Sequence, residues 1–503
     1  MTPEFHSFQK TYQLGAAQII GRRLVSDLDT PVSAYLKLAA NETNAFLLES
    51  VEGGDQLGRY SIIGMRPDAV WRANGDKAAL NTQFASDPAD FVEEETPPLE
   101  SLKAFVDASR IDLPEDAPPM AAGVFGFLGY DMVRQLEKLP SAPPSYTDLP
   151  DAIMFRPTLI AVFDNVRQEI IVITPIRPTP EVAAQDAWDN AQRRIDAAIE
   201  RLSAPFAVSP QSANSHAEAH AADIAAQGRQ SNTAVDEYRD MVLAAKEHIL
   251  DGDIFQVVLS QRFQTPFSAP PFDLYRALRR TNPSPFLFFL NFDGFSLIGS
   301  SPEILVRVRK GEVTIRPIAG TRPRGTSIAE DKRLEAELLA DPKERAEHLM
   351  LLDLGRNDVG RSAKIGTVRA TEQFAIERYS HVMHIVSNVV GELKDGVHPV
   401  DAAMAGFPAG TVTGAPKIRA MEIIDSLERE KRGPYGGAIG YFSANGDVDT
   451  CITLRTGLVK DNVLHVQAGA GIVADSDPSA EHQECANKAR ALFAAASAAL
   501  APA

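Results

Sequence analysis

Between Tyr435 and Val473 the chain alternates apolar runs with tight turns. NGD at Asn445 to Asp447 separates GGAIGYFSA from VDTCITLR, and Asp461-Asn462 marks the next reversal. Turns of this composition return a strand onto its neighbour, so this part of the chain is expected to form antiparallel sheet. Further short strands separated by turns precede it, after a helix over Val235 to Leu250. In the first half, strand-like runs at Ala121 to Leu128 and Thr158 to Phe163 alternate with Pro-rich connections at Leu113 to Pro119 and Leu139 to Pro150, closing with a helix near Pro180 to Leu202. Antiparallel strands with interspersed helices define an α+β architecture. The stretch Ser203 to Thr233 is poor in large apolar residues and rich in Ala, Ser, Gln and Asn, and reads as a linker or mobile loop. Three segments follow: 1–202, a linker at 203–233, and 234–503.

Composition limits the functions available. With 503 residues, 44% of them apolar, the chain is long enough for two cores. A net charge of -17 disfavours nucleic acid as a partner, because phosphate binding needs clustered Lys and Arg. No apolar run approaches the length of a membrane span, and the N-terminus (MTPEFHSFQK) lacks a secretion signal, so a cytoplasmic location is expected with no membrane partner. The two cysteines, Cys451 and Cys485, form no CxxC pattern and support neither a disulfide framework nor zinc.

Two helix-compatible segments, Lys343 to Leu352 and Ser479 to Ala494, each carry glutamates three residues apart, Glu344/Glu347 and Glu481/Glu484. Residues at that spacing share a helix face. Either pair alone is ordinary solvated surface. Four converging carboxylates, however, require a cation between them, and an all-oxygen ligand set suits Mg²⁺. Lys488 falls on the face of Glu481. AGAGIV (Ala468 to Val473) lacks the Lys-Ser/Thr of a phosphate loop, but its glycines let backbone N–H groups approach an anion. Arg455, in an alternating strand, is either a surface charge or a bidentate grip for a carboxylate. His384 in an apolar stretch is either structural or a general acid or base. Glu303 opens a strand after a Ser-Ser-Pro turn, on the surface or projecting into a cleft.

Nine segments occur together and in order: GDIFQVVLSQRF (252–263), NPSPFLFFL (282–290), GSSPEILV (299–306), RPIAGTRPRG (316–325), ERAEHLMLLDLGRNDVGR (344–361), VMHIVSNVVGEL (382–393), FPAGTVTGAPK (407–417), YGGAIGYF (435–442) and AGAGIVADSDP (468–478). In these the chain resembles the chorismate-utilising enzymes, and among them the anthranilate synthase large subunits. LLES (47–50), GRYSIIG (58–64) and GFLGYDMVRQLEKLP (126–140) extend the likeness into the first half. The resemblance implies the fold of that family and an Mg²⁺-dependent synthesis of anthranilate from chorismate and ammonia through 2-amino-2-deoxyisochorismate, the step that opens tryptophan biosynthesis. It matches Glu347 and Glu484 to Mg²⁺ ligands, with Glu344 and Glu481 completing the site directly or through water. Tyr435, Arg455, the N–H groups of Gly469, Ala470 and Gly471, and Lys488 match groups that hold the substrate's carboxylates, with Gly320, Thr321 and Thr411 as neighbouring contacts. Glu303 corresponds to the general acid that protonates the departing C4 hydroxyl, a task requiring a raised pKa. His384 corresponds to the histidine of pyruvate elimination.

Two positions separate siblings. Water-adding members carry a lysine base where this chain has Gln256, and a glutamine cannot deprotonate water. The aminodeoxychorismate synthase large subunit, the nearest alternative, typically reads PIKGT where this chain reads PIAGT with Ala319. Neither cysteine has the context of a glutaminase nucleophile, so ammonia is expected from a separate glutamine amidotransferase subunit. The resemblance also nominates Glu49, Ser50, Asn282, Pro285, Phe286 and Leu287, with Cys451, as a site where tryptophan binds and inhibits. A non-enzyme alternative is an inactive tryptophan-sensing scaffold, against which intact Glu303, His384 and both carboxylate pairs argue.

Overall fold

Asp461 and Asn462 both take left-handed backbones, with φ of 51° and 58°, the conformation a two-residue hairpin turn requires. They join the strands Thr456–Lys460 and Val463–Ile472. At the other turn Gly446 takes φ 94°, and the Asn445 side chain accepts the Asp447 N–H at 2.9 Å. In this computed structural model, which describes residues 2–52, 56–140, 142–205, 229–379 and 382–500, the antiparallel expectation extends to every strand pairing. All twenty-two strands among the described residues join one hydrogen-bonded network. Helices pack around it, as the α+β reading expects, and among the described residues none is long and apolar enough to cross a membrane.

The division at 203–233 does not separate two cores. The strand Ala45–Glu52 pairs with Phe286–Asn291, and Gly123–Leu128 pairs with Ala438–Ser443. Phe46, Phe125 and Phe155 from the first half share a core with Leu290, Phe292 and Tyr441 from the second, and Tyr35 stacks on Phe272 with ring centroids 4.4 Å apart. A unit that folds alone keeps its own core, whereas here segments 1–202 and 234–503 complete each other's sheets. Of the expected linker, residues 206–228 lie outside the described residues. Its flanks are the end of the helix Ala184–Ser203 and the short strand Gln230–Ser231, which pairs with Phe263 and Gln264.

Two helices carry the glutamate pairs. Asp341 caps Pro342–Ser362 by accepting the Lys343 and Glu344 N–H groups at 2.9 and 3.3 Å, with proline at the first position. The second, Pro478–Leu500, begins at Asp477, whose carboxylate accepts the Ser479 and Ala480 N–H groups. The ion pair Lys343 to Asp475 at 2.9 Å joins the starts of the two helices. Both glutamate pairs thereby come to the same end of the sheet.

Candidate active site

The strand Val382–Glu392 lies between Ile318–Pro323 and Arg369–Arg378, with Thr321 and Glu377 opposite His384. His384 Nδ1 lies 3.0 Å from the Gly320 carbonyl and 3.1 Å from Thr321 Oγ1. A carbonyl only accepts, so Nδ1 carries the hydrogen and Nε2 keeps its lone pair. Burial pulls the imidazole pKa down to about 4, helped by the nearby cations Arg455 and Lys488. His384 is neutral at pH 7 and equipped to accept a proton.

Glu303 opens the strand Ile304–Arg309 and is 6% exposed. Burial raises its pKa to about 8, against the opposing pull of the Thr411 hydroxyl, the Ile318 N–H and Arg455. Thr411 Oγ1 donates to the carboxyl at 3.1 Å. At pH 7 the group is predominantly the acid. Proton donor and proton acceptor thus both stand within reach of Arg455, and burial keeps each of them uncharged at pH 7.

Arg455 is near both. Its backbone is left-handed (φ 48°), an uncommon conformation for a side chain of this size, and its guanidinium acts electrostatically on Glu303, His384 and Tyr379. Among the described residues no carboxylate pairs with it, and burial lowers its pKa. A half-buried guanidinium without a counter-ion is a receptor for an anion.

The glycine stretch is the end of the strand Val463–Ile472, not a loop. Gly469 and Gly471 stand opposite Ser260 and Val258, whose N–H groups turn away to Glu428 and to Thr413, both at 2.8 Å. Antiparallel ladders alternate, so the polar backbone groups of Gly469 and Gly471 also face the strand's other edge, and Ala470 alone of the three pairs inward. There Gly469 O accepts Lys488 Nζ at 2.9 Å. A Cβ on Gly469 would stand 2.8 Å from the Tyr435 hydroxyl, and one on Gly471 would stand 2.6 Å from Gln256 Nε2. Both glycines make room for side chains lining the cleft.

Gln256 Nε2 donates to Glu347 Oε1 at 3.3 Å. Burial raises the Glu347 pKa, and the neighbouring Glu344 and Glu484 add to it. Glu481 is raised by burial and by Glu484. Glu347 thus stands within electrostatic reach of Glu344 and Glu484, and Glu481 within reach of Glu484. Two side-chain cations relieve them in part. Arg322 Nη1 reaches Glu344 at 2.9 Å while Nη2 reaches Asp341 at 2.8 Å, and Lys488 pairs with Glu484 at 2.7 Å. Among the described residues no three acidic groups share one metal-ligand point. An all-oxygen, mutually repelling set suits a hard dication in its chemistry, and Glu484 would exchange Lys488 for it.

On the far side of the Glu303 strand is a cavity of about 880 Å³. Six residues expected at a tryptophan site line it: Glu49, Ser50, Pro285, Phe286, Leu287 and Cys451. Asn282 does not; it caps the helix Pro271–Thr281, and its carbonyl accepts the Ser300 hydroxyl. Glu49 is already engaged, since Arg279 grips both its oxygens at 2.7 and 3.0 Å and the Tyr275 hydroxyl donates to it. Cys485 lies elsewhere, buried with its thiol 3.1 Å from the Tyr238 hydroxyl. The sequence reading missed Arg322 and Tyr379, though Arg322 stands two residues after Gly320 and Tyr379 five before His384.

A carboxyl held as the acid, a neutral histidine, a guanidinium with no carboxylate partner among the described residues and two glutamate pairs within electrostatic reach of each other are groups of an enzyme site that receives an anion. The chain belongs to the family of chorismate binding enzymes, whose sequence profile matches residues 43–494. It is 54% identical over 494 residues to anthranilate synthase component 1 of Cereibacter sphaeroides, covering 98% of this chain and 97% of that one. The enzyme of the same name from Pseudomonas putida is 48% identical over 94% of this chain and 93% of its own length. The crystal structure of anthranilate synthase component I from Streptococcus pneumoniae superposes with a TM-score of 0.74 at 35% identity, covering 94% of this chain and 99% of that one. Within the family the chain falls in the anthranilate synthase component 1 group.

Proposed function

We propose that the chain makes anthranilate from chorismate and ammonia, with Mg²⁺ that Glu347 and Glu484 would hold, Glu344 and Glu481 completing the site directly or through water. The observation that carries this reading is the pairing of a carboxyl protonated at pH 7, Glu303, with a neutral imidazole, His384, beside the unpaired Arg455. Bound there, the metal would neutralise the carboxylates and give the ring carboxylate of chorismate a place among them. Arg455 and the N–H groups of Gly469 and Gly471 receive a substrate carboxylate. Glu303 protonates the C4 hydroxyl, which leaves as water while ammonia adds at C2, and the product is 2-amino-2-deoxyisochorismate. His384 Nε2 then takes the C2 proton, the C3–O bond breaks, the ring becomes aromatic, and the departing enolpyruvate takes up a proton at its methylene carbon to become pyruvate.

Gln256 and Ala319 support this branch over its siblings. Gln256 cannot act as a base toward water, and Ala319 offers no nucleophile for an aminodeoxychorismate route. Ammonia comes from glutamine through a separate glutaminase subunit, in a heteromer in the cytoplasm, and tryptophan inhibits from the cavity behind Glu303. Purified chain supplied with chorismate, Mg²⁺ and an ammonium salt should form fluorescent anthranilate, whereas glutamine in place of ammonium should not serve. Absence of anthranilate with ammonium refutes the reading, and 4-amino-4-deoxychorismate as the product would establish the alternative.

A further inference from the structure

Tyr379 belongs to both sites. Its side chain forms part of the cavity wall, and its ring stands 5.5 Å from the His384 imidazole, edge to face. The hydroxyl donates to Glu377 at 2.7 Å, and Glu377 pairs with Arg316 at 2.5 Å. Glu377 and Arg316 line the cavity as well, while Glu377 also stands opposite His384 in the sheet. Tyr379 is 9% exposed, and it is near enough to Arg455 for each to influence the other's charge. A single layer of side chain thus separates the cavity from the imidazole and the guanidinium of the substrate cleft.

The two proton-transfer groups differ in how they are held. Glu303 is fixed by its own carbonyl, which accepts the Ile452 N–H at 3.0 Å, and by Thr411 from the far side. The His384 ring is held at Nδ1 by Gly320 and Thr321, and the Tyr379 ring packs against it, with no hydrogen bond at Nε2 among the described residues. Close-packed groups shift between discrete arrangements instead of deforming smoothly. A ligand pressing on the cavity side of the tyrosine therefore presses toward His384.

We infer that Tyr379 is the positioning residue through which occupancy of the cavity controls His384. A ligand seated against the Tyr379, Glu377 and Arg316 wall moves the tyrosine ring, and the ring moves the imidazole off its working line. This inference rests on the reading of the cavity as the tryptophan site. It assigns a route to that inhibition, separate from the residues that recognise the inhibitor.

The test separates binding from its consequence in the full chain. Calorimetry measures tryptophan binding, and anthranilate fluorescence with ammonium measures turnover. In the unaltered protein saturating tryptophan should lower turnover roughly tenfold or more, the coupling usual between linked sites. Tyr379→Leu should bind tryptophan within about threefold of the unaltered protein yet lose less than about twofold of its own rate. Tyr379→Phe keeps the ring on His384 and removes only the bond to Glu377, so its inhibition should stay within about twofold of the unaltered protein's, and its loss would assign control to the hydroxyl instead of the ring. An independent readout is the ¹³Cε1–H signal of His384, identified by its loss in His384→Gln. It should move on adding tryptophan to the unaltered protein and stay in place in the leucine variant. Full inhibition or an unchanged signal response in the leucine variant overturns the inference. Failure of the unaltered protein to bind tryptophan instead overturns the cavity reading on which it rests.

Discussion

Replacing Glu303 with Gln removes a proton-binding site from the protein interior, and the effect on stability follows from its surroundings. Burial raises this carboxyl from 4.5 to about 8. Below pH 4.5 the group is protonated in folded and unfolded chains alike, so it costs nothing that depends on pH. Between pH 4.5 and about 8 the unfolded chain releases the proton and the folded chain keeps it. The folded state then binds more protons, and stability falls as pH rises. At about 1.4 kcal/mol per pH unit the loss is complete, at ~5 kcal/mol, once the pH passes the folded value, with ~3 kcal/mol already lost at neutrality. Glutamine titrates nowhere, so Glu303→Gln escapes this loss. Urea unfolding of both proteins in a pH series should show the stability difference moving toward the variant by ~5 kcal/mol between about pH 4.5 and about pH 9. Turnover should move the other way: the variant should lose about 10²- to 10⁴-fold, the usual contribution of a general acid. In the unaltered protein the rate, at constant free ammonia, should fall above pH 8. Parallel stability curves would show that the carboxyl is not held as an acid, and a variant within tenfold of the normal rate would remove Glu303 from the chemistry.

Glu347→Gln and Glu484→Gln should each abolish turnover at saturating Mg²⁺ while calorimetric unfolding temperatures stay level. For Glu347 the temperature should hold or rise, because burial and its acidic neighbours already disfavour its charge; retained turnover sinks the metal assignment. His384→Gln should consume chorismate and ammonia but accumulate 2-amino-2-deoxyisochorismate, detected chromatographically, and anthranilate at the normal rate would refute its role. Since its pKa is held down at about 4, His384 should impose no fall in rate between pH 8 and about pH 5. Ser50→Phe should relieve tryptophan inhibition with little loss of basal rate, and normal inhibition of that variant would exclude the cavity as the inhibitor's site.

What could be read beforehand divides along physical lines. Hairpins were legible at Asn445–Asp447 and Asp461-Asn462 because a turn is specified by its own residues. The glutamate pairs were legible as pairs because helix spacing is local. Their approach to one another was not, since it depends on two helices meeting at the ion pair of Lys343 and Asp475, 132 residues apart in sequence. The interleaving of the two halves was equally hidden: nothing local in AFLLESVE says that its strand partner is FLFFLN. The AGAG glycines suggested a backbone open to an anion, but not that they sit in a strand to admit the Tyr435 hydroxyl and Gln256. Arg322 escaped notice because a clamp is recognised only by what it holds.

The interleaving has a functional consequence. Successive residues of a strand face opposite sides of a sheet, so a sheet with a substrate cleft on one face and a cavity on the other must build both from alternate residues of the same strands. Pro302 and Ile304 line the cavity, and Glu303 between them points into the cleft. Ile318 lines the cavity with its side chain while its N–H donates to the Glu303 carboxyl. The first half supplies Glu49, Ser50, Arg59 and Tyr60 to that cavity, yet none of the cleft's proton-transfer groups. Its contribution is the opposite wall, held against the second half by the strand pairing of Ala45–Glu52 with Phe286–Asn291. A ligand bridging those walls therefore bears on the backbone that carries the acid and on the tyrosine that backs the histidine, without touching the substrate. Substitutions on the first-half wall can alter the response to such a ligand while leaving the cleft intact, whereas those at 302, 304 or 318 must disturb both.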